Sequence, residues 1–163
     1  MAVVHLLTGS NIGRKVDNLM QARMFITQKA GTLLRKSSIY ESPPWGFEHP
    51  ENFLNQVLEV ETFLEPEDLL HQLQQIEVEL GRKRNRKRYS ARIIDIDILF
   101  YADLIIKRES LIIPHPRIDE RRFVLVPLNE LIPDYHHPLL QQPVKELLIL
   151  CKDKSSVTRY ENE

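Results

Sequence analysis

At the centre of the chain stands Arg92-Ile93-Ile94-Asp95-Ile96-Asp97-Ile98-Leu99-Phe100, a run rich in β-branched residues that contains neither Gly nor Pro. This composition is typical of a β-strand. Because strand side chains alternate between two faces, Asp95 and Asp97 share one face, about 6.5 Å apart, and the even-numbered isoleucines share the other. Two carboxylates at that separation can bracket a hard cation such as Mg²⁺.

The charge just upstream of this strand decides how its two aspartates are interpreted. An isolated Asp-x-Asp pair usually indicates a half-exposed strand with a solvated acidic face. Here, however, residues 82–92 contain seven Arg and Lys side chains and no acid. Cationic side chains for phosphate oxygens, beside carboxylates for a metal ion, predict a site for a polyphosphate.

Composition limits the classes of protein that the chain can represent. Its 163 residues fit a single domain, which we expect to span 1–163. The net charge is −1, so the chain outside the basic segment sums to about −8, which weighs against generic nucleic-acid binding. The single cysteine, Cys151, excludes an internal disulfide, and its apolar setting predicts a small buried side chain. We find neither a signal peptide nor an apolar run of membrane-spanning length, and we expect a cytoplasmic protein.

Apolar spacing and the positions of Gly and Pro predict the order of the secondary-structure elements. The expected strands are Val3–Leu7, Leu33–Tyr40, Phe53–Thr62, the acidic strand Arg92–Phe100, a short strand and its continuation at Leu104–Ile106 and Leu111–Ile113, and an edge strand at Val157–Tyr160. The expected helices are Arg14–Lys29, Glu65–Leu80 and Val144–Leu150, with Pro127, Pro133, Pro138 and Pro143 interrupting the stretch before the last one.

The predicted order is β-α-β-β-α-β with additions at the C-terminus. Hairpin strands with two helices between them are typical of the split βαβ arrangement. We therefore predict an α+β fold: a ferredoxin-like antiparallel sheet with helices packed on it and C-terminal additions. A doubly wound parallel sheet is disfavoured, because no helix precedes the strand that begins at Phe53.

Aromatic and amide side chains concentrate before and within the third strand. The loop Ser42-Pro43-Pro44-Trp45-Gly46-Phe47 is stiffened by its paired prolines, and its two rings either plug the edge of the core or form a platform for a ligand. Phe53 and Asn55 point to the same side of their strand, and an amide that donates and accepts suits the edge of a heterocycle. Gln74 and Glu77 lie off the apolar stripe of their helix, which usually indicates a solvated face.

Seven short motifs, spread over nearly the whole chain, point to a known family. They are Gly9-Ser10-Asn11, Ser42-Pro43-Pro44-Trp45-Gly46, Phe53-Leu54-Asn55, Ile76-Glu77 through Gly81-Arg82, Arg92-x-x-Asp95-Ile96-Asp97-Ile98-Leu99, Pro114-His115-Pro116 and Arg121-x-Phe123. In order and spacing they resemble the 6-hydroxymethyl-7,8-dihydropterin pyrophosphokinase family. The chain departs from that family's pattern at Ser90, Ala91, Ser110 and Pro116.

The resemblance implies an activity and its cofactors. The expected reaction transfers pyrophosphate from ATP to the hydroxymethyl group of the dihydropterin and releases AMP, in tetrahydrofolate biosynthesis. Two Mg²⁺ ions are implied, with ATP as co-substrate and with Asp95 and Asp97 as metal ligands and catalytic residues. Arg82 and Arg92 match catalytic arginines that act on the transferring phosphates.

The resemblance also implies two sets of binding residues. The positions around ATP are Gln74, Glu77, Arg84, Arg88, Ile98, His115 and Arg121. The positions around the pterin are Ser42, Pro43, Pro44, Trp45, Phe53, Asn55 and Phe123. In this second set, Phe53 and Phe123 sandwich the ring system, while Asn55 and the loop that begins at Ser42 read its edge.

The chemistry of the residues agrees with this activity. Attack on the β-phosphorus needs an in-line alcohol, neutralised charge and exclusion of water more than it needs covalent catalysis. We find no convincing general base, since the better role for His115 is a hydrogen bond to a phosphate oxygen, and we expect a metal ion to activate the alcohol. The charged loop from Gly81 to Arg92 is expected to be mobile until ATP binds.

Two other classes of function remain open on the residues alone. An RNA-binding ferredoxin-like module would use the basic loop and exposed aromatic rings, and it would not need the two aspartates. A metal-dependent nuclease would use the aspartates together with further acids or a lysine. Neither explains Phe53, Asn55 and Phe123 together. We therefore expect ATP and 6-hydroxymethyl-7,8-dihydropterin as partners, no nucleic acid or membrane, and a monomer.

Overall fold

The structure is a computed structural model that describes residues 1–81 and 93–161. The strands within these ranges are β1 (Ala2–Ser10), β2 (Thr32–Lys36), β3 (Tyr40–Ser42), β4 (Phe53–Thr62), β5 (Asp95–Tyr101), β6 (Ile106–Lys107), β7 (Ile112–Ile113) and β8 (Thr158–Arg159). The helices are α1 (Lys15–Lys29), α2 (Pro66–Glu79), α3 (Arg122–Leu131) and α4 (Val144–Leu150), with a 3-10 turn at Ile118–Glu120. None of the helices in these ranges is long and apolar enough to cross a bilayer.

The principal sheet is antiparallel and has the strand order β5-β1-β4-β3-β8, with β2 also paired to β4. If β2 and β3 are taken as one interrupted strand, this is the strand order of the split βαβ arrangement. The predicted α+β, ferredoxin-like fold is therefore confirmed. The central position of β1 brings β4 and β5 to its two sides, and β5 lies at the edge of the sheet.

Two apolar cores form because β1 alternates its side chains between the faces of the sheet. Val4 and Leu6 belong to the first core, together with the apolar stripes of α1 and α2. Leu7 and Val57 belong to the second core, together with α3 and α4. The C-terminal additions thus cover the face that α1 and α2 leave open, and Cys151 is buried among them as predicted.

The acidic strand has the predicted alternation of faces. Ile96 and Ile98 are buried in the first core, whereas Asp95 and Asp97 are half-buried on the opposite face. The register between β1 and β5 shifts at one point, beyond these residues, so that Leu99 and the following aromatic residue both join the second core. The aspartates therefore lie on the face of α3 and α4, clear of α1.

The predicted continuous strand Leu33–Tyr40 is wrong, because the strand is interrupted over residues 37–39, between β2 and β3. The Ser37 hydroxyl accepts a hydrogen bond from the Val57 amide at 2.9 Å, and the side chain of Gln56 donates to the Ser37 carbonyl at 2.7 Å. These buried side-chain bonds add to the backbone bond from the Ser37 amide to the Val57 carbonyl, at 2.9 Å, at the point where β2 gives way to an irregular segment. The chain then re-enters the sheet as β3, which brings Ser42 beside β4.

Two further expectations are corrected in the C-terminal half. Pro127 does not interrupt the chain but lies inside α3, where it is buried in a ten-residue helix. Only one intrahelical hydrogen bond is lost there, and packing in the second core outweighs it. The segments at β6 and β7 form an antiparallel hairpin rather than a strand and its continuation, since the backbones of Arg108 and Leu111 bond each other across a tight turn. The remaining helices and strands fall within a few residues of their predicted bounds.

A polar cluster on the α3 face fixes the register of three strands. Glu59 of β4 lies opposite His5 of β1 and Arg35 of β2. The His5 Nε2 atom is 2.9 Å from one Glu59 oxygen, and two N–H groups of Arg35 donate to the carboxylate at 2.9 Å. The bonds from Arg35 lower the pKa of Glu59 to about 2. A slip of one residue would move every side chain of a strand to the other face. By fixing the register, this cluster therefore also determines to which face the later residues of β1 point.

Candidate active site

One cavity of about 340 Å³ opens on the α3 face of the sheet, where β1 ends and β5 begins. Its floor is formed by β1, β4 and β5, and its walls by the loop after β3, by α2 and by the segment that precedes α3. The lining residues are Leu7, Gly9, Ser42, Pro43, Trp45, Phe47, Phe53, Asn55, Leu70, Gln74, Glu77, Asp95, Ile96, Asp97, His115, Pro116, Arg117, Arg121 and Phe123.

A cross-strand row sets the floor of this cavity. Gly9 on β1 lies directly opposite Asn55 on β4 and, on its other side, opposite Asp95 on β5. Leu7 is paired in the same way with Val57 and Asp97. Neighbouring strands are about 4.8 Å apart, so the backbones at Asn55 and Asp95 are about 10 Å apart with Gly9 between them.

The glycine in this row permits a close approach. A Cβ atom at position 9 would lie 2.7 Å from Asn55 Oδ1 and 3.7 Å from a ring carbon of Phe53. The Asn55 side chain is buried, and its Nδ2 atom donates to the Ser42 hydroxyl at 3.3 Å. The amide is therefore fixed against the bare backbone of β1, next to the Phe53 ring. This arrangement can read the edge of a flat heterocycle that lies on the floor.

Aromatic rings and arginines form the wall beside the amide. The Phe47 and Phe53 rings meet edge to face, with centroids 6.1 Å apart. The Arg121 guanidinium lies 4.6 Å from the Trp45 ring centroid and 5.7 Å from that of Phe123. Trp45 and Phe47 line the cavity and belong to neither core. The alternative in which these rings plug the core edge is therefore wrong.

Asp95 and Asp97 both line the cavity, at the end of the row remote from Asn55. They supply hard oxygen donors from one strand face. Mg²⁺ is commonly held by one or two carboxylates together with substrate phosphates and water, so this pair fits the ion that the sequence predicts. Among residues 1–81 and 93–161, no group of three or more His, Cys, Asp and Glu side chains makes a complete protein-only metal site.

Glu77 is buried, and the expectation that it lies on a solvated face is wrong. Only 5% of it is exposed, and its Oε2 atom accepts a hydrogen bond from the Ile96 amide at 2.8 Å. The helix places Gln74 one turn earlier, where it is exposed and also lines the cavity. Helical spacing could not reveal this difference, because it depends on how α2 packs against the edge of β5.

His115 presents a neutral ring to the cavity. Its backbone amide donates to the Leu99 carbonyl at 3.0 Å, and its Nδ1 atom accepts from the Arg117 amide at 3.3 Å. This leaves Nε2 as the protonated nitrogen of the neutral ring. Burial, and then the positive charge of Arg121, lower the pKa of His115 to about 4. A neutral donor of this kind suits a phosphate oxygen better than it suits general base catalysis near pH 7.

Most of the predicted site residues that the structure describes meet in this one cavity. Ser42, Pro43, Trp45, Phe53, Asn55, Gln74, Glu77, Asp95, Asp97, His115, Arg121 and Phe123 all line it. Pro44 does not line it, and the Ile98 side chain is buried in the first core. Arg82, Arg84, Arg88 and Arg92, with the loop predicted to be mobile, lie outside the described residues.

The cavity also includes residues that were not predicted as site residues. Gly9, Ile96 and Pro116 belong to the family motifs named above, so the sequence already indicated that the site includes these segments. Arg117 follows the His115 motif directly. The Phe47 ring was one of the two considered as a platform for a ligand. Leu7 and Leu70 gave no signal, because apolar residues in a strand or a helical stripe look the same whether they face a core or a cavity.

Sequence comparison relates the chain to known proteins. A family model described as 7,8-dihydro-6-hydroxymethylpterin-pyrophosphokinase matches residues 5–133. A 2-amino-4-hydroxy-6-hydroxymethyldihydropteridine pyrophosphokinase of Aquifex aeolicus is 41% identical over 149 residues, which is 90% of each chain. A protein of the same name from Bacillus subtilis is 45% identical over 130 residues, or 79% of this chain and 77% of the relative. A folic acid synthesis protein of Pneumocystis carinii is 44% identical over 83% of this chain but only 18% of its own length.

Solved structures share the fold. An HPPK-DHPS protein in complex with substrates has a TM-score of 0.72 at 18% identity, over 91% of this chain and 43% of that one. Plasmodium falciparum HPPK-DHPS with pterin and p-hydroxybenzoate has a TM-score of 0.71 at 20% identity, over 91% of this chain and 41% of that one. The chain thus spans less than half the length of these structural relatives.

The lowered pKa of His115 predicts a pH dependence of stability. The unfolded chain binds a proton at this residue near pH 6.5, whereas the folded protein binds it only near pH 4. The free energy of unfolding should therefore fall as the pH drops from about 6.5 to about 4, with up to about 3 kcal/mol of this loss due to His115. The measurement is urea unfolding of the metal-free protein across this range, for wild type and His115→Gln.

The variant isolates the contribution of this ring from that of other acid-sensitive groups. We expect the His115→Gln protein to lose less stability between pH 6.5 and pH 4 than wild type. Equal losses in the two proteins would show that His115 does not titrate differently in the folded state.

Proposed function

The chain belongs to the 7,8-dihydro-6-hydroxymethylpterin-pyrophosphokinase family, and from that premise we propose how its cavity divides the reaction among named residues. The protein is a pyrophosphokinase of folate biosynthesis: it transfers pyrophosphate from ATP to the hydroxymethyl group of 6-hydroxymethyl-7,8-dihydropterin and releases AMP. One observation supports this assignment of pterin binding and metal binding to different residues more than any other. The row of Asn55, Gly9 and Asp95 puts an amide that can read the pterin beside carboxylates that can hold a metal ion.

The pterin lies at the Asn55 end of the cavity. Phe53 and Phe123 stack on its two faces, while Asn55 and the loop residues Ser42, Pro43 and Trp45 contact its edge. Support comes from the cavity itself, in which Phe53, Asn55 and Phe123 meet. Neither an RNA-binding module nor a nuclease needs such a slot for one flat heterocycle. We expect the hydroxymethyl group to point along the row, towards Asp95.

ATP occupies the opposite wall. Gln74, Glu77, Arg84, Arg88, Ile98, His115 and Arg121 surround it. Because the Ile98 side chain faces the first core, its contact with the nucleotide is made by its backbone. His115 donates its Nε2–H to a phosphate oxygen, and Arg121 adds positive charge on the same side. Arg82 and Arg92 act on the transferring phosphates.

Asp95 and Asp97 would hold two Mg²⁺ ions together with the triphosphate. When bound, these ions would neutralise the charge of the phosphates and lower the pKa of the pterin alcohol. The carboxylates fit this role, because both open into the cavity from one strand face.

The transfer forms one phosphorus–oxygen bond, breaks another and releases the proton of the alcohol. The hydroxymethyl oxygen attacks the β-phosphorus of ATP and loses its proton. The bond between the β-phosphorus and the bridging oxygen to the α-phosphorus breaks, and the electron pair leaves with AMP. The protein contributes position and charge: Asn55 and the rings hold the alcohol, while His115 and Arg121 hold the leaving group and the transferring phosphates in line.

We also propose a cytoplasmic protein that works as one monomeric domain and binds neither nucleic acid nor membrane. The net charge of −1 supports the absence of nucleic-acid binding, since generic binding requires a basic surface. An apparent mass of about one chain in solution is the expected observation.

An assay of AMP release tests the proposed metal ligands. Wild type with ATP, Mg²⁺ and the dihydropterin should release AMP only when the pterin is present. Asp95→Asn and Asp97→Asn should each lower kcat by at least about a hundredfold, because the transition-state charge is no longer neutralised. Asp103→Asn is the matched control, since this exposed aspartate lies in the turn just after β5 and outside the cavity.

The outcomes of this assay are separable. Release of ADP in place of AMP would mean transfer of the γ-phosphoryl group. A kcat unchanged by Asp97→Asn, with AMP still the product, would contradict the metal assignment alone.

A methyl group at position 9 tests the pterin end of the row. In Gly9→Ala the new Cβ would displace the Asn55 amide, so kcat/KM for the pterin should fall about tenfold or more, while the affinity for ATP stays near that of wild type. Gly31→Ala is the control, because its Cβ would meet the Glu61 carbonyl oxygen outside the cavity. It should lower stability without changing the KM for the pterin. Equal pterin kinetics for Gly9→Ala and wild type would rule out the proposed slot.

A further inference from the structure

We infer that Glu77 is a positioning residue for the metal-binding segment: its buried carboxylate fixes the peptide between Asp95 and Ile96 at the free edge of β5. The inference rests on the proposed function, in which Asp95 and Asp97 hold Mg²⁺. It assigns Glu77 a role that is distinct from contact with the nucleotide.

The edge of the sheet creates the need for such a residue. Among the residues that the structure describes, β5 pairs with β1 on one side only, so half of its backbone groups have no strand to bond there. The Ile96 amide points to this outer side and donates to Glu77 Oε2 at 2.8 Å. Both residues are only 5% exposed, where an amide without an acceptor would be costly. A carboxylate acceptor makes this bond stronger than a bond between neutral groups.

The position of this bond makes it relevant to the metal site. The Ile96 nitrogen belongs to the peptide that follows Asp95 and precedes Asp97 by one residue. Rotation of that peptide would change the direction of both carboxylates relative to the cavity. Groups that orient metal ligands commonly affect metal affinity as strongly as some ligands do. An acceptor on the peptide between the two aspartates therefore sets the geometry of the pair.

The helix that supplies Glu77 is itself well anchored. Leu73 and Ile76, on the preceding turn, are fully buried in the first core together with Ile96. This packing fixes the position of α2 relative to β5, and Glu77 extends from α2 to the edge of the strand. By contrast, Glu79 on the same helix is exposed and pairs with Lys29.

Three variants and one control separate positioning from other roles. Glu77→Gln keeps an oxygen acceptor but loses the charge, Glu77→Met loses the acceptor, and Glu77→Asp keeps the charge but withdraws it from the Ile96 amide. Glu79→Met removes a carboxylate of the same helix that does not touch β5. Each protein is first checked for folding by its Tm, and Glu77→Asp serves if Glu77→Met does not fold.

Two readouts do not depend on turnover. The first is hydrogen exchange at the Ile96 amide in the free protein, measured by NMR. The second is Mn²⁺ affinity in the presence of an ATP analogue with a methylene group between the α- and β-phosphorus atoms. We expect Glu77→Met and Glu77→Asp to speed exchange at least about tenfold and to weaken Mn²⁺ binding by about ten- to a hundredfold. Glu79→Met should stay close to wild type. Glu77→Gln keeps a neutral acceptor and should change both readouts less than Glu77→Met does.

Three results would overturn the inference. One is wild-type exchange and Mn²⁺ affinity in Glu77→Met. Another is a loss in Glu77→Gln as large as that in Glu77→Met, which would assign the effect to charge. The third is weaker binding of the analogue without metal and no change at the Ile96 amide, which would leave Glu77 as a nucleotide contact only. Failure of the proposed function would give a different result: the single variant Asp97→Asn would then bind Mn²⁺ as tightly as wild type does.

Discussion

The close approach of the Asn55 amide to the backbone of Gly9 is the constraint on which the site depends. A residue with a Cβ at this position would force the amide to move, since that atom would lie 2.7 Å from the amide oxygen. The same glycine is the only spacer between the amide and Asp95 in the cross-strand row. A flat substrate bonded by Asn55 can therefore extend over Gly9 and bring its reactive group to the carboxylates.

Opposing requirements are balanced around this row. The aspartates must open to a highly charged substrate, yet their strand lies at the edge of the sheet, where one row of backbone groups has no neighbouring strand. The structure meets both needs by burying the isoleucines of β5 in one core and by bonding the Ile96 amide to Glu77. Further along β1, the cluster of Glu59, His5 and Arg35 fixes the register, so the site is positioned by interactions that do not themselves touch it.

The sequence predicts correctly those features of the fold and the site that a short-range pattern determines. Alternation placed Asp95 and Asp97 on one face and Phe53 and Asn55 on one side of β4, and the structure brings all four into one cavity. It failed where long-range contacts decide. The interruption of the strand at Ser37 coincides with side-chain bonds to β4, and the burial of Pro127 and of Glu77 depends on packing between elements distant in sequence.

Paramagnetic relaxation of the bound pterin tests the central claim most directly. The complex would contain the dihydropterin, Mn²⁺ and the ATP analogue with a methylene group between the α- and β-phosphorus atoms, which resists the bond cleavage of the reaction. We predict that Mn²⁺ broadens the hydroxymethyl protons more than any other pterin proton, and that this excess disappears when Asp95 and Asp97 are both changed to Asn. Equal broadening of all pterin protons, or an excess that persists in the double variant, would contradict an alcohol held beside these two carboxylates.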